Sequence, residues 1–379
     1  MSGRVRVVIL GAGPAGLYLA YLVKRRRTAA EVSVVEQNRA DATFGFGVVF
    51  SDRALEFLRD DDPATAAAIE AHLETWHDIT LDQGGERTTI DGIGFAAIGR
   101  LELLGLLRER ARAVGAAIFH ERTVTRLDEL GDADLVVGAD GVNSLVRRSL
   151  PFGSTVTHFS NRFAWFGVAK PFATLTQTFR ASKLGHFNAH HYRYASDRST
   201  FIVEVDAATF ARERFDRLPD GESRVVCERV FADVLEGRPL ISNNSIWRQF
   251  PRIRNERWRH GRHVLIGDAL HTAHFSIGSG TRLAMEDAIA LATALARHPA
   301  AVDDALADYE AARRPVVEKL LAAADASGEW YEQFARHMRL PPIDFAMSYL
   351  SRSGRVDRER LRGTSPRFVA RYERERPNG

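Results

Sequence analysis

The chain of 379 residues has a single cysteine, Cys227, only four lysines, and no uninterrupted apolar run of the ~18 residues that a membrane-spanning helix requires. One cysteine excludes an internal disulfide and any CxxC metal or redox motif. Arg4 and Arg6 break up the apolar residues ahead of Gly11, so no signal peptide is readable. A reduced, cytoplasmic setting without membrane contact is the expectation. No HExxH, Walker A lysine motif or GxSxG occurs, and no metal site is expected. An excess of charge is missing too: 52 basic against 49 acidic residues leave a net +3. Of the basic residues, 48 are arginine, which a GC-rich coding bias accounts for. A nucleic-acid surface would need them clustered, and no nucleic-acid partner is expected. What is present is ordinary for an ordered protein, 45% hydrophobic and 27% charged, in a length that suggests two or three domains.

The first forty residues carry the clearest pattern. Val5 to Leu10 is a β-branched run of the kind found in buried parallel strands. Gly11-Ala12-Gly13-Pro14-Ala15-Gly16 follows at once. A helical stretch to Arg27 comes next, with Leu19, Leu22 and Val23 apolar, then an alternating strand from Glu31 to Glu36. In such a unit Gly11 permits the tight turn, Gly13 lets a pyrophosphate approach the backbone, and Gly16 lets helix and strand pack closely. The helix N-terminus, around Ala15, offers free N–H groups and the positive end of its dipole. Glu36, about twenty residues past Gly16, is placed to bind ribose hydroxyls. A carboxylate there suits a free 2′-hydroxyl, so the unit reads as a site for FAD or NAD rather than NADP. The alternative is a glycine turn used for packing alone.

Two further segments repeat the theme. Asp134 to Val137 leads into Gly138-Ala139-Asp140-Gly141, and His263 to Ile266 into Gly267-Asp268; each is an apolar strand ending in an acid. Helical sequence then runs from Gly280 to about Ala296. With the motifs GxGxxG, DG and GD in this order, the chain resembles the group A FAD-dependent aromatic monooxygenases, the para-hydroxybenzoate hydroxylase family, from residue 1 to about 330. Phe44-Gly-Phe-Gly-Val-Val-Phe-Ser-Asp52 and His274-Phe-Ser-Ile-Gly-Ser-Gly-Thr281 are similar to the salicylyl-CoA 5-hydroxylase branch. That branch also resembles the tryptophan-derivative hydroxylase of violacein biosynthesis. Phe275 and Arg282 stand where many relatives carry proline and asparagine.

The resemblance implies non-covalent FAD, with Arg100 at its diphosphate, Asp140 and Gly141 along the pyrophosphate and Asp268 at the ribitol. It implies that Gly278, Ser279, Gly280 and Thr281, at a helix start, face the flavin's N1–C2=O edge, where free N–H donors stabilise negative charge. It also implies the reaction. NADH or NADPH reduces FAD, O₂ adds to give the C4a-hydroperoxide, and an electron-rich aromatic ring takes the distal oxygen. With no second nucleotide fold, NAD(P)H is expected to bind transiently over the FAD site.

The expected fold class is α/β. A Rossmann-like FAD-binding domain (residues 1–160 and 255–300) carries an inserted antiparallel β-sheet substrate domain (161–254). A C-terminal helical segment and arginine-rich tail (301–379) follow. Alternating runs at Phe163–Val168, Thr174–Arg180, His186–Tyr194 and Ser199–Asp206 read as that sheet. In the family one sheet face roofs the substrate pocket. Gln177, Phe179, Asn188, His190 and Tyr192, with Phe46 and Phe275 from the flanking motifs, are therefore candidates for substrate contact. A solvated sheet face is the other reading. His190 and Tyr192 are the catalytic candidates, His190 as the base for a phenol proton. Arg352, Arg355, Arg358, Arg360 and Arg362 read as a solvated tail, or as a contact for the phosphates of a coenzyme A thioester. A salicylyl-CoA-type thioester, hydroxylated para to its hydroxyl, is the first substrate class implied. A free or carrier-bound aromatic such as an indole is the second. A flavoprotein that does not oxygenate, a reductase or an FAD-binding partner, is the reading from another class.

Overall fold

The computed structural model describes residues 5–43, 45–51 and 55–376; Phe44 and Asp52, the two ends of one motif above, lie outside them. Val7, Val8, Ile9 and Leu10 are buried because strand Arg6–Leu10 runs inside a six-stranded sheet. Glu31–Val35 and Leu135–Gly138 flank it in parallel. Ala117–Phe119 forms one edge, and His263–Leu265 followed by the antiparallel Arg259–His260 the other. Parallel neighbours need crossover connections. Helix Pro14–Arg26 is the first, with proline in its opening turn, where a backbone N–H has no helical partner to lose. It packs against helices Arg100–Ala113 and Gly280–Arg297, and is buried from Ala15 to Val23.

A seven-stranded sheet stands beside this layer. Its order is Leu240–Ile241, Arg162–Val168, Arg198–Val205, Gly185–Ala195, Leu175–Ser182, Ile79–Gln83, Glu86–Ile90. The four alternating runs form its centre. Two strands come from residues 79–90, far upstream, and Ile79–Gln83 joins in parallel. The pleat sorts the side chains. On one face Phe166, Phe187, Phe201 and Val203 pack with Phe215, Phe231 and Leu235 of outlying helices. On the other face one row crosses four strands: Gln177, His190, Ile202 and Trp165. A three-stranded sheet, Gly47–Ser51, Phe95–Gly99 and Glu74–Trp76, packs against strand Gly185–Ala195.

Val302–Glu332 is one helix with Pro315 inside it. The segment after Pro341, read from sequence as a solvated tail or polyanion contact, folds instead into helices Pro342–Ser351, Arg358–Thr364 and Pro366–Glu375. Phe345, Tyr349, Leu361 and Phe368 are buried there in a core shared with Leu81, Ile90, Phe179 and Trp330. At about 1.5–3 kcal/mol per large apolar side chain, that burial accounts for the folding of a strongly charged segment. Several of its arginines are paired within the fold, Arg376 with Asp344 at 2.6 Å and Arg362 with Glu373 at 2.7 Å. The carboxylate of Asp91 accepts from the Arg367 and Phe368 backbone N–H groups, at 3.1 and 2.8 Å, and so caps the last helix. Among the described residues, no helix is long and apolar enough to cross a membrane.

Candidate active site

Two cavities meet at the carboxyl ends of the parallel strands. The larger measures about 790 Å³, the smaller about 250 Å³, and both are lined by Gly13, Arg100, Ala139, Gly141, Val142 and Asp268. Gly11 has φ of +104°, and a Cβ there would sit 2.3 Å from the Ala139 carbonyl oxygen, so only glycine serves. A Cβ on Gly13 would meet nothing within 4 Å, which leaves open space in front of that backbone. A Cβ on Gly16 would lie 2.0 Å from the Gly11 carbonyl oxygen, so close packing requires glycine there. Helices Pro14–Arg26 and Gly280–Arg297 both start at the cavities, and neither start is capped by a side chain. Their first-turn N–H groups are left for an anion. Ala15, Gly278, Ser279, Gly280 and Thr281 line the smaller cavity.

Glu36 lines the larger cavity at the end of its strand. Its carboxylate accepts from Ala12 N at 2.8 Å, Asn38 N at 2.8 Å and Asn38 Nδ2 at 2.7 Å. Asp140 Oδ2 accepts from the Leu145 and Val146 N–H groups at 2.6 and 3.3 Å, while Oδ1 is buried without a partner. Burial raises this carboxyl above its ordinary range. Asp268 is exposed to the cavities but surrounded by protein, so burial raises its carboxyl too, against the lowering effect of Arg100. Arg100 Nε has no partner. Open space at Gly13, two uncapped helix starts and unpartnered groups on Arg100 and Asp140 fit a dinucleotide spanning the two cavities.

The Gly267-Asp268 turn rests on a buried ionic cluster. Gly267 N donates to Asp287 Oδ2 at 3.0 Å, and Arg313 Nε donates to Asp287 Oδ1 at 2.8 Å. His271 Nε2 lies 2.9 Å from Asp287 Oδ2. Burial pushes Asp287 up, but His271 and Arg313 outweigh it and hold the carboxyl at about 2.

Trp165, His190, Tyr192, Ile202, Phe250, Thr272 and Phe275 also line the smaller cavity. His190 is buried with both ring nitrogens unpartnered. Burial, and then the charge of Arg352, lowers it to about 3, so the ring is neutral and a weak proton acceptor. The Tyr192 hydroxyl donates to the Gly47 carbonyl at 3.0 Å, and burial raises its phenol. The Phe275 ring centre lies 6.4 Å from that of His190.

Four expected substrate contacts line neither cavity. Phe46 packs on Gly167, where a Cβ would come within 2.6 Å of its ring. Phe179 is enclosed by Trp330, Phe334 and Phe345, at ring-centre distances of 6.1, 6.0 and 4.8 Å. Gln177 and Asn188 are fully buried side by side, with Asn188 Nδ2 donating to Gln177 Oε1 at 3.4 Å. The sheet face is longer than the cavity, and the C-terminal helices cover the part of it around Phe179. Sequence reading missed Trp165, Ile202, Phe250 and Thr272. The first two share the transverse row of His190, a relation that only strand register reveals.

The FAD binding domain family matches residues 4–324. Salicyloyl-CoA 5-hydroxylase of a Streptomyces species is 43% identical, over 97% of this chain and 73% of its own length. The 3-hydroxy-4-methyl-anthranilyl-[aryl-carrier protein] 5-monooxygenase of Streptosporangium sibiricum is 37% identical, over 89% of this chain and 91% of its own. Protodeoxyviolaceinate monooxygenase of Chromobacterium violaceum is 31% identical, over 92% and 94%. The solved structure of 2-methyl-3-hydroxypyridine-5-carboxylic acid oxygenase has a TM-score of 0.72 and 19% identity, over 92% of this chain and 96% of that one, a likeness of fold. Fold, cavities and likenesses together define the class, a flavoprotein that oxygenates aromatic molecules. The chain belongs to the FAD binding domain family, and it is an FAD-dependent monooxygenase.

Proposed function

We propose that the chain hydroxylates an aromatic ring carried as a thioester of coenzyme A. Salicyloyl-CoA is the leading substrate, with oxygen entering at the 5-position, para to the hydroxyl, to give gentisyl-CoA. The 43% identical salicyloyl-CoA 5-hydroxylase supports the substrate class. The observation that carries the reading is the small cavity. At about 250 Å³, with Trp165, Ile202, Phe250 and Phe275 in its walls, it is lined for a flat ring system. Only the aryl end enters, and the coenzyme A handle lies outside, where each exposed phosphate contact contributes about 1 kcal/mol or less.

FAD, when bound, would supply the redox chemistry, drawing two electrons from NAD(P)H so that one atom of O₂ enters the ring and the other leaves as water. The protein's own groups do the rest. Glu36 would bind the adenosine ribose; Gly11, Gly13, Arg100, Asp140 and Gly141 would form the diphosphate cradle, and Asp268 would bind the ribityl chain. N–H groups at Gly278 to Thr281 hold negative charge on the flavin's pyrimidine edge. The neutral His190 ring offers a lone pair to the phenol O–H. That bond orients the ring and raises electron density at the para carbon. Tyr192, bonded to Gly47, fixes the wall beside it, and the apolar lining excludes water.

The test is turnover of salicyloyl-CoA and of free salicylate by the holoprotein with NADH, products separated and identified. The thioester is hydroxylated and the free acid is a poor substrate; equal kcat/KM for both would remove the thioester assignment. The 37% identical relative, matched over 91% of its length, favours a second reading in which the aryl group arrives on a carrier protein. Turnover of a salicyl carrier protein without turnover of salicyloyl-CoA would decide for it.

A further inference from the structure

Loop 274–281 carries Phe275 into the cavity and leads into the helix start at Gly280, so its placement matters to both substrate and cofactor. Behind it stands Arg352, beyond the residues that the family matches. Its Nη2 donates to the Ser276 carbonyl at 2.8 Å, its Nε to Ser327 Oγ at 3.0 Å, and its Nη1 to the Tyr349 carbonyl at 2.6 Å. The guanidinium also lies 3.8 Å over the Tyr349 ring. Ser276 Oγ is 2.7 Å from Ser327 Oγ and 2.8 Å from His274 Nδ1. A continuous polar chain therefore runs from the last turn of helix Pro342–Ser351, through the long helix, to His274, one residue before Phe275.

The planar fork of arginine suits this junction, because its donors reach three elements at once, which a lysine cannot do with the same geometry. All three acceptors are neutral, so nothing in these bonds cancels the charge. That charge reaches the cavity: after burial, it is the second cause holding His190 and His274 at about 3. Tyr331, Tyr349, Glu204 and Glu332 are further titratable groups in this neighbourhood.

We propose that Arg352 is a positioning residue for the hydroxylation, clamping loop 274–281 from behind so that Phe275 and the helix start at Gly280 hold their places against ring and cofactor. It rests on the hydroxylase reading for its catalytic consequence, but the clamp itself is measurable without any substrate.

The experiment compares holoenzyme, R352K, R352M and S327A. The first readout is hydrogen exchange of the peptide covering 274–281, with peptides from the six-stranded sheet as internal control. Loss of one charge-assisted bond corresponds to about tenfold in a local opening equilibrium. R352M should therefore exchange that peptide about tenfold faster while the sheet peptides stay unchanged. S327A, which keeps the arginine but removes one acceptor and the link to Ser276, should move the same peptide less. The second readout is the ratio of peroxide to hydroxylated product per NADH. It rises in R352M with KM for salicyloyl-CoA nearly constant, and R352K restores part of the coupling. Unchanged exchange at 274–281 in both R352M and S327A would overturn the clamp. Faster exchange with no hydroxylation by any variant or by the parent would retain the clamp and reject the hydroxylase reading.

Discussion

Asp287→Asn isolates the charge of the cluster under the Gly267-Asp268 turn. Asp287 is fully buried, and Arg313, only 7% exposed, depends on it and on Glu286 at 2.7 Å. Breaking a buried pair costs about 3–5 kcal/mol, and with Glu286 still in place the low end, about 3 kcal/mol, applies. At about 2.1 cal/mol/K per residue the unfolding entropy of this chain is roughly 0.8 kcal/mol/K, so Tm should fall by about 4 °C. The pH dependence has a definite sign. The folded carboxyl is depressed from 3.8 to about 2, so its stabilisation is present above the unfolded value and lost as pH falls through that window. The depression corresponds to about 2 kcal/mol. Thermal unfolding of parent and variant, followed by circular dichroism, should show a gap that is constant near neutrality and narrows below about pH 4. Flavin content separates charge from shape. Asparagine can still accept from Gly267 N, so Asp287→Asn should keep FAD, whereas Asp287→Leu should lose it. An unchanged Tm at pH 7, or a gap that does not narrow in acid, would refute the reasoning.

Asp268→Ala should purify with much less flavin, measured by absorbance, and normal flavin content would remove its ribityl role. His190→Ala should keep FAD but divert NADH oxidation toward peroxide; unchanged product per NADH would show that the ring does not orient the substrate. Glu204 is buried and raised from 4.5 to about 8. Its folded state favours the proton, so that contribution is complete below the unfolded value and lost as pH rises through 8. Glu204→Gln should therefore raise Tm relative to the parent above about pH 8 and change it little at pH 5. Equal differences at both pH values would contradict the assignment.

The glycine turn and the strand-end acids that line the larger cavity were legible because their chemistry is local. A glycine at +104°, an uncapped helix start and an acid at a strand end are each written within a few residues. The centre of the seven-stranded sheet was legible for the same reason, since period-two alternation marks a strand without reference to its neighbours. Pairing over long range was not. Nothing in residues 79–90 announces that they extend a sheet whose other strands begin at residue 162. Alternation placed Phe179 on the same face as His190 but could not show that Trp330 and Phe345 cover it. Arginine density after Pro341 suggested solvent, because the segment's own aromatics find a core only against distant residues such as Leu81, Ile90 and Phe179, and Arg367 pairs with Asp78 far upstream. Asp287, Arg313 and His271 are unremarkable in sequence; only the fold brings them to one buried point under Asp268.

The central claim is that this cavity inserts one atom of O₂ into an aryl thioester. Holoenzyme, NADH and salicyloyl-CoA under ¹⁸O₂ in ordinary water, with mass spectrometry of the product, address it most directly. The account predicts gentisyl-CoA carrying one heavy oxygen, on the ring. Product labelled only from ¹⁸O-water, or NADH consumed with peroxide and no hydroxylated thioester, would contradict it.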